Sequence, residues 1–306
     1  MKRYSGEGAL LLTTLLWSAT FVIIKESLVS VSPVVFVSLR FAIASLILSP
    51  FIIKAFKKID KELLMTGLFL SLFFFAGFAT QTIGLKYTTA TKSGFITGTF
   101  ILFTPLFQYL IEKKLPKKEN IYGIILIITG LLFLSSKGNT FFNIFTELGG
   151  GFNIGDFLTL LSAISFALYL VYLDVVTKKY DYMPLVYMQI LFTAVLGIVC
   201  AIFLSIIGFE QIKLSFNNQL LFAFFYTSIF ATIITTYLQT RYQKTVTPTK
   251  AGIIFSFEPL LAALFAFFIL DERISSFGYI GGAFIFSGLI ITEILGNRNS
   301  KVKNGS

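Results

Sequence analysis

Apolar positions fill long unbroken runs, and the polar residues collect in short clusters between them. Each run approaches the roughly 20 residues that a helix needs to cross a bilayer. The separators are charged or turn-rich: Lys57-Lys58-Ile59-Asp60-Lys61, Lys113-Lys114-Leu115-Pro116-Lys117-Lys118, Gly149-Gly150-Gly151 and Lys178-Lys179. This pattern predicts ten helices, at 6–27, 32–53, 64–85, 90–111, 120–136, 154–174, 184–208, 217–238, 250–270 and 277–295. A polar tail from Gly296 to Ser306 is expected to be disordered.

Composition agrees with an all-α integral membrane protein. Of the 306 residues, 56% are hydrophobic and only 13% charged, about half the charge of a soluble domain. Ten spans leave no room for a sizeable soluble domain. Met1-Lys2-Arg3 and the apolar run behind it have the outline of a signal peptide. The run from Gly8 to Ile24 is too long for that and lacks a small-residue cleavage site, so it reads as an uncleaved first span.

A net charge of +10 would suggest nucleic acid in a soluble chain. Here the cations sort by side of the membrane. With the N-terminus inside, 17 Lys and Arg fall in cytoplasmic segments and 6 in external ones. The positive-inside rule then favours ten helices with both termini cytoplasmic and no nucleic-acid partner. Histidine is absent and Cys200 is the only cysteine. Ser-His-Asp chemistry, His-based zinc sites and an intrachain disulfide are therefore excluded, and no cofactor or metal is expected.

Two stretches repeat. Thr91-Lys92-Ser93-Gly94-Phe95-Ile96 returns 158 residues later as Thr249-Lys250-Ala251-Gly252-Ile253-Ile254, and the pairs Gly123/Gly281 and Gly130/Gly288 keep that spacing. Pro105 and Pro259 are 154 apart, about one helical turn out of register. An odd number of helices per repeat inverts the second copy, and such inverted repeats place a transport site at midplane. The expected units are 1–137, a connecting loop at 138–153, 154–295 and the tail at 296–306.

Ordered along the chain, several motifs resemble one family. Trp17-Ser18-Ala19-Thr20-Phe21 is similar to a Trp-Gly-x-x-Phe opening, with Ser18 in place of Gly, and Lys25, Pro33 and Arg40 follow. Gly84-Leu85-Lys86-Tyr87-Thr88-Thr89-Ala90 leads to Gly94-Phe95-Ile96-Thr97-Gly98 and Thr104-Pro105-Leu106. The later set is Thr247-Pro248-Thr249, Phe257-Glu258-Pro259-Leu260 and Leu270-Asp271-Glu272-Arg273-Ile274, with Asp271 where Gly is usual. Over nearly its whole length the chain resembles EamA-type members of the drug/metabolite transporter superfamily. The resemblance implies ten helices, cytoplasmic termini, a bacterial-type inner or plasma membrane and transport of small metabolites. It names no single substrate.

Polar residues inside spans are the candidates for chemistry, because each is costly in hydrocarbon. Arg40, some eight residues into the second helix, either binds an anionic substrate group through its planar fork or locks packing. Glu258 is the one carboxylate near the middle of a span. It is either a proton-coupling or amine-binding site beside a turn broken by Pro259, or a structural acid paired with Arg40 or bonded to free backbone donors. Pro105 and Pro259 are hinge candidates, or static bends. Gln81 and Gln189 lie deep enough to line a central cavity, whereas Gln108 and Gln239 lie nearer helix ends. Tyr169, Tyr172 and Tyr237 are further polar residues within spans. Trp17 is too deep for an interfacial belt. Cavity candidates are thus Trp17, Thr20, Arg40, Gln81, Tyr169, Gln189 and Glu258.

The glycines at i, i+7 on the fifth and tenth helices make smooth stripes for close helix contact, within the chain or in a homodimer. Lys92 and Lys250 are candidate gate residues, or cations snorkelling to opposite faces.

The leading expectation is a secondary transporter in contact with membrane lipids. It would export amino acids or related small metabolites by alternating access, driven by the substrate gradient or by protons. No nucleotide-binding motif is present. A membrane enzyme acting on lipid is the alternative, but Asp60, Asp156, Asp174, Asp181 and Asp271 are dispersed rather than paired. A channel or a non-transporting receptor is the third class.

Overall fold

The computed structural model describes residues 4–53, 59–135, 153–271 and 275–304. The predicted 138–153 loop, apart from Asn153, and much of the Lys57–Lys61 cluster lie outside these residues. Eight helices are long and apolar enough to cross a membrane: α1 (Ser5–Ser27), α2 (Pro33–Ile52), α3 (Lys61–Tyr87), α4 (Ala90–Glu112), α6 (Ile154–Thr177), α7 (Tyr182–Ile206), α8 (Asn218–Thr245) and α9 (Pro248–Ile269). Two more, α5 (Lys118–Ser135) and α10 (Ser276–Asn304), pack lengthwise on each other. The protein is a multi-pass membrane protein. The helical backbone of α10 runs on to Asn304, where a disordered tail was expected. No proline interrupts that stretch, and a helix once nucleated propagates cheaply through residues of ordinary propensity.

Short polar side chains start the helices. Asp60 accepts from the amide of Leu63 at 2.7 Å and Asn217 from that of Leu220 at 2.7 Å. Asn153 and Asp156 form a reciprocal capping box at α6. Each cap satisfies amide donors that the first turn leaves orphaned. Val31 and Leu214 form an isolated bridge that ties the α1–α2 loop to the α7–α8 loop.

Three spans are broken. In α1 the regular helix lapses at Ala19, in α4 at Thr99, and in α9 at Ser256 and Phe257. The second segment of α9 runs Glu258–Leu270, so Pro259 sits in its first turn, where a missing N–H costs little. Pro105 lies inside the second segment of α4. The two prolines are therefore not equivalent, against their reading as a symmetric hinge pair. The breaks themselves do correspond: Thr99 and Phe257, the residues capping the second segments, are 158 positions apart. The same spacing relates the capping residues Thr89 and Thr247, and the left-handed C-caps Lys113 (φ 57°) and Asp271 (φ 52°).

Packing follows membrane logic. Leu46, Phe51, Val199, Ile206 and Phe268 point outward, which lipid does not penalise, while Ser, Thr and small residues pack between helices. Gly130 faces the backbone of Gly281, where a Cβ would stand 2.6 Å from the carbonyl oxygen. Gly123 faces Gly288 in the same way, with a Cβ 3.1 Å from that carbonyl. The two glycine stripes thus close on each other within one chain. They are not free to make a dimer face.

Candidate functional site

α1, α3, α4, α6, α8 and α9 surround a cavity. Its wall is mostly aromatic: Trp17, Phe78, Phe100, Phe166, Tyr169 and Phe255. The helix breaks put its polar groups there. Trp17 and Thr20 flank the lapse in α1, and Glu258 opens the second segment of α9. Phe255 and Trp17 pack with ring centroids 5.3 Å apart, and Tyr169 stacks on Phe74 at 4.5 Å.

Five of the seven cavity candidates line this space: Trp17, Thr20, Gln81, Tyr169 and Glu258. The Trp17 indole N–H donates to the carbonyl of Ala231 at 3.1 Å, so only its ring is left for a ligand. Thr20 spends its hydroxyl proton on the carbonyl of Trp17 at 2.6 Å. Gln81 donates to the Thr97 hydroxyl at 3.1 Å. Tyr169 donates to Gln189 Oε1 at 2.6 Å. Glu258 is buried at 8% exposure, and no described residue donates to its carboxylate.

Arg40 and Gln189 stand behind the wall. Arg40 is 1% exposed. Its Nε donates to Thr232 Oγ1 and its Nη2 to the Ala231 carbonyl, both at 2.7 Å, and its guanidinium lies 4.7 Å from the centre of the Phe78 ring. This is possible because Tyr226–Ile234 of α8 is a π-helical stretch. A wider turn leaves carbonyls poorly used along the helix, and Ala231 gives its oxygen to both Arg40 and Trp17. The expected Arg40–Glu258 pairing does not occur among the described ion pairs. Gln189 donates to the Leu185 carbonyl at 3.0 Å and to Thr240 Oγ1 at 3.1 Å while it holds Tyr169.

Gln239 and Thr97 line the cavity as well. Sequence position counted against Gln239, near a helix end by the predicted limits; α8 in fact continues to Thr245 and puts it deeper. Gln108 accepts from the Thr249 amide at 3.2 Å, and so joins α4 to α9 outside the cavity. Tyr172 packs against Phe69 and Phe73, and Tyr237 against Tyr182.

Ion pairs stand at the two ends of the bundle. Lys92 on α4 bonds Asp156 on α6 at 2.6 Å, and Asp156 also accepts from Thr88 Oγ1 at 2.8 Å. Beside it, Lys25 donates to the carbonyls of Leu85 and Thr88, which end α3. Lys250 on α9 bonds Glu7 on α1 at 3.0 Å. Glu7 and Lys25 lie 18 residues apart on α1, about 27 Å of helical rise, so the two ion pairs occupy opposite ends. Trp17 and Thr20 fall between them.

The family model described as the EamA-like transporter family matches residues 4–136 and again 153–294. A protein of Archaeoglobus fulgidus named "uncharacterized transporter" is 30% identical over 96% of this chain and 87% of its own length. The uncharacterized transporter YoaV of Bacillus subtilis is 22% identical over 93% and 95%. One solved crystal structure superposes with a TM-score of 0.75, covering 96% of this chain and 98% of its own, at 17% identity. That likeness is one of fold.

Proposed function

We propose, for a chain that belongs to the EamA-like transporter family and is a multi-pass membrane transporter, that it works as a secondary carrier by alternating access. The cargo is a small metabolite, with amino acids and related compounds as first candidates, and export as the direction. The units 1–137 and 154–295 act as inverted halves of ten spans, with both termini in the cytoplasm and the chain in the plasma membrane.

One observation supports this reading most directly: the cavity lies between ion pairs at opposite ends of the bundle that join the two units. Lys92 belongs to the first unit and Asp156 to the second; Lys250 belongs to the second and Glu7 to the first. Parting the units at one end breaks Lys92–Asp156; parting them at the other breaks Lys250–Glu7 together with Lys178–Glu112 and Lys179–Glu62, which also join the units there. A lipid-modifying enzyme would need a paired-acid or nucleophile constellation. Among the described residues no group of three or more His, Cys, Asp or Glu could hold a metal.

Glu258 supplies the coupling chemistry in this reading. Among the described residues it is the only carboxylate on the wall, so proton and substrate compete for it. The other ionisable wall group is the Tyr169 phenol, held by Gln189. Arg40 is engaged behind Phe78, while Lys25 and Lys92 are engaged at the end of the bundle.

The test is counterflow in proteoliposomes across a panel of amino acids and small metabolites, with and without a proton gradient. Saturable exchange of one compound is expected, lost in Glu258→Gln. Folded protein that exchanges nothing would sink the carrier reading. Exchange by Glu258→Gln at the wild-type rate across pH would remove Glu258 from it.

A further inference from the structure

We propose that the cavity selects lipophilic cations, meaning an amine or quaternary ammonium on an aromatic or aliphatic body without a carboxylate of its own. The inference rests on reading this cavity as the transport site, and within small metabolites it sets cations ahead of the amino acids named first above.

The argument is one of unmatched charge. A buried charge is tolerated when it is paired and hydrogen-bonded. Glu258 meets neither condition: no described residue donates to it, and no Lys or Arg lines the cavity. The bundle does hold a buried cation, Arg40, but its hydrogen bonds to Thr232 and Ala231 turn it to other work. A ligand cation supplies the missing charge. The walls fit the rest of such a ligand. Trp17, Phe100 and Phe255 put aromatic rings on the wall, and an aromatic face attracts a cation. The Trp17 N–H is already spent on Ala231, so its ring is left as an apolar surface.

The same inventory disfavours a zwitterion or an anion. The free hydrogen-bonding capacity facing the cavity is neutral, on Gln239, Thr97 and Gln81. A ligand carboxylate would give up hydration without meeting a cation, and would sit in the same cavity as Glu258. Amides and hydroxyls repay little of that desolvation.

Trp17 is the only tryptophan in the chain and lines the cavity, so its fluorescence reports occupancy directly. The experiment titrates the purified full chain in lipid nanodiscs with phenyltrimethylammonium, phenylalanine and phenylpropanoate. It is repeated with Glu258→Gln and with Glu258→Asp, and paired with counterflow of the same probes. The expected result is a saturable change with phenyltrimethylammonium, at least tenfold weaker with the other two probes. Glu258→Gln weakens it tenfold or more, while Glu258→Asp, which keeps the charge, stays within a few-fold. Equal affinity in Glu258→Gln overturns the proposal, as does tighter binding of the zwitterion or the anion, or no binding of the cation to folded protein. Counterflow of phenylalanine without cation binding sinks the substrate class and leaves the carrier. Saturable cation binding with no counterflow of any probe leaves the class and sinks the carrier.

Discussion

At the level of single residues, Arg40 and Glu258 look alike in the sequence and differ in the structure. Both are charges deep in spans, and either could have been a ligand group. Arg40 has found its partners in the protein: Thr232, the Ala231 carbonyl and the Phe78 ring. Nothing in the spacing announces this, because the Ala231 carbonyl and the Thr232 hydroxyl are offered by a π-helical stretch about 190 residues away in the chain. The guanidinium fork is what spans both acceptors, and a lysine cannot. Arg40→Lys is therefore expected to destabilise the purified protein by about 1–3 kcal/mol, the range for a lost charge-assisted hydrogen bond. Ligand affinity read from Trp17 fluorescence should move less than about threefold. A tenfold loss of affinity, about 1.4 kcal/mol, at unchanged melting temperature would make Arg40 a ligand group instead. Tyr169 tests the wall from the other direction. Its hydroxyl proton is committed to Gln189, so Tyr169→Phe leaves the cavity face as a ring of the same shape. It orphans a buried glutamine oxygen, at about 1–3 kcal/mol. Melting temperature should fall with probe affinity within a few-fold; the reverse pattern would show that the phenol itself binds.

At the level of elements, much was legible, and what was missed has physical reasons. Apolar runs and charged separators located the spans to within a few residues at most ends, because hydrocarbon thickness sets a length that sequence must meet. The glycine stripes on α5 and α10 were visible as i, i+7 patterns, and they do face each other. The break in α9 was expected at the turn beside Pro259, whereas those in α1 and α4 were not visible. None contains a mid-helix proline, and the proline nearest a break, Pro259, starts a segment instead of kinking one. Five of the candidate residues share one cavity wall, since polar groups in spans are few and must go inward. Gln239 was discounted because the end of α8 was placed seven residues early. The glycine contact carries its own prediction. A Cβ on Gly130 would stand 2.6 Å from the Gly281 carbonyl and 2.8 Å from the Ile285 amide nitrogen. Both are backbone atoms, which cannot rotate aside. Gly130→Val should cost about 1–3 kcal/mol, typical of overpacking, seen as a lower midpoint in denaturing-detergent titration. Because α5 lines no part of the cavity, the folded fraction should keep wild-type probe affinity. A variant as stable as wild type would mean that the α5–α10 seam is looser than drawn.

Over the whole molecule, the two end ion pairs make opposite predictions about one cavity, which is what alternating access requires. Both are partly sheltered: Lys250 and Glu7 are 22% and 14% exposed, Lys92 and Asp156 31% and 0%. Each is therefore worth more than a surface pair and less than a dry one, about 1–3 kcal/mol. Removing that much bias from one end shifts the balance between the two open forms by about 5–150-fold. The reporter is Thr20→Cys on the cavity wall, in a background where the single native Cys200 is replaced by Ser. Lys250→Glu sets two carboxylates against each other at the Glu7 end. It should speed labelling by an impermeant maleimide from that side several-fold and slow it from the other. Asp156→Lys, beside Lys92, should do the reverse. The exchanged pair Glu7→Lys with Lys250→Glu restores attraction across the same interface, and it should return labelling to the starting rates. Because that double variant has the net charge and composition of the parent, its recovery cannot come from a general change in potential or reagent access. Equal acceleration from both sides in either single variant, or no recovery in the exchange, would make these ion pairs static struts. The opening of the cavity would then have to be sought in the broken segments of α4 and α9, which meet where Gly98 lies against Pro259.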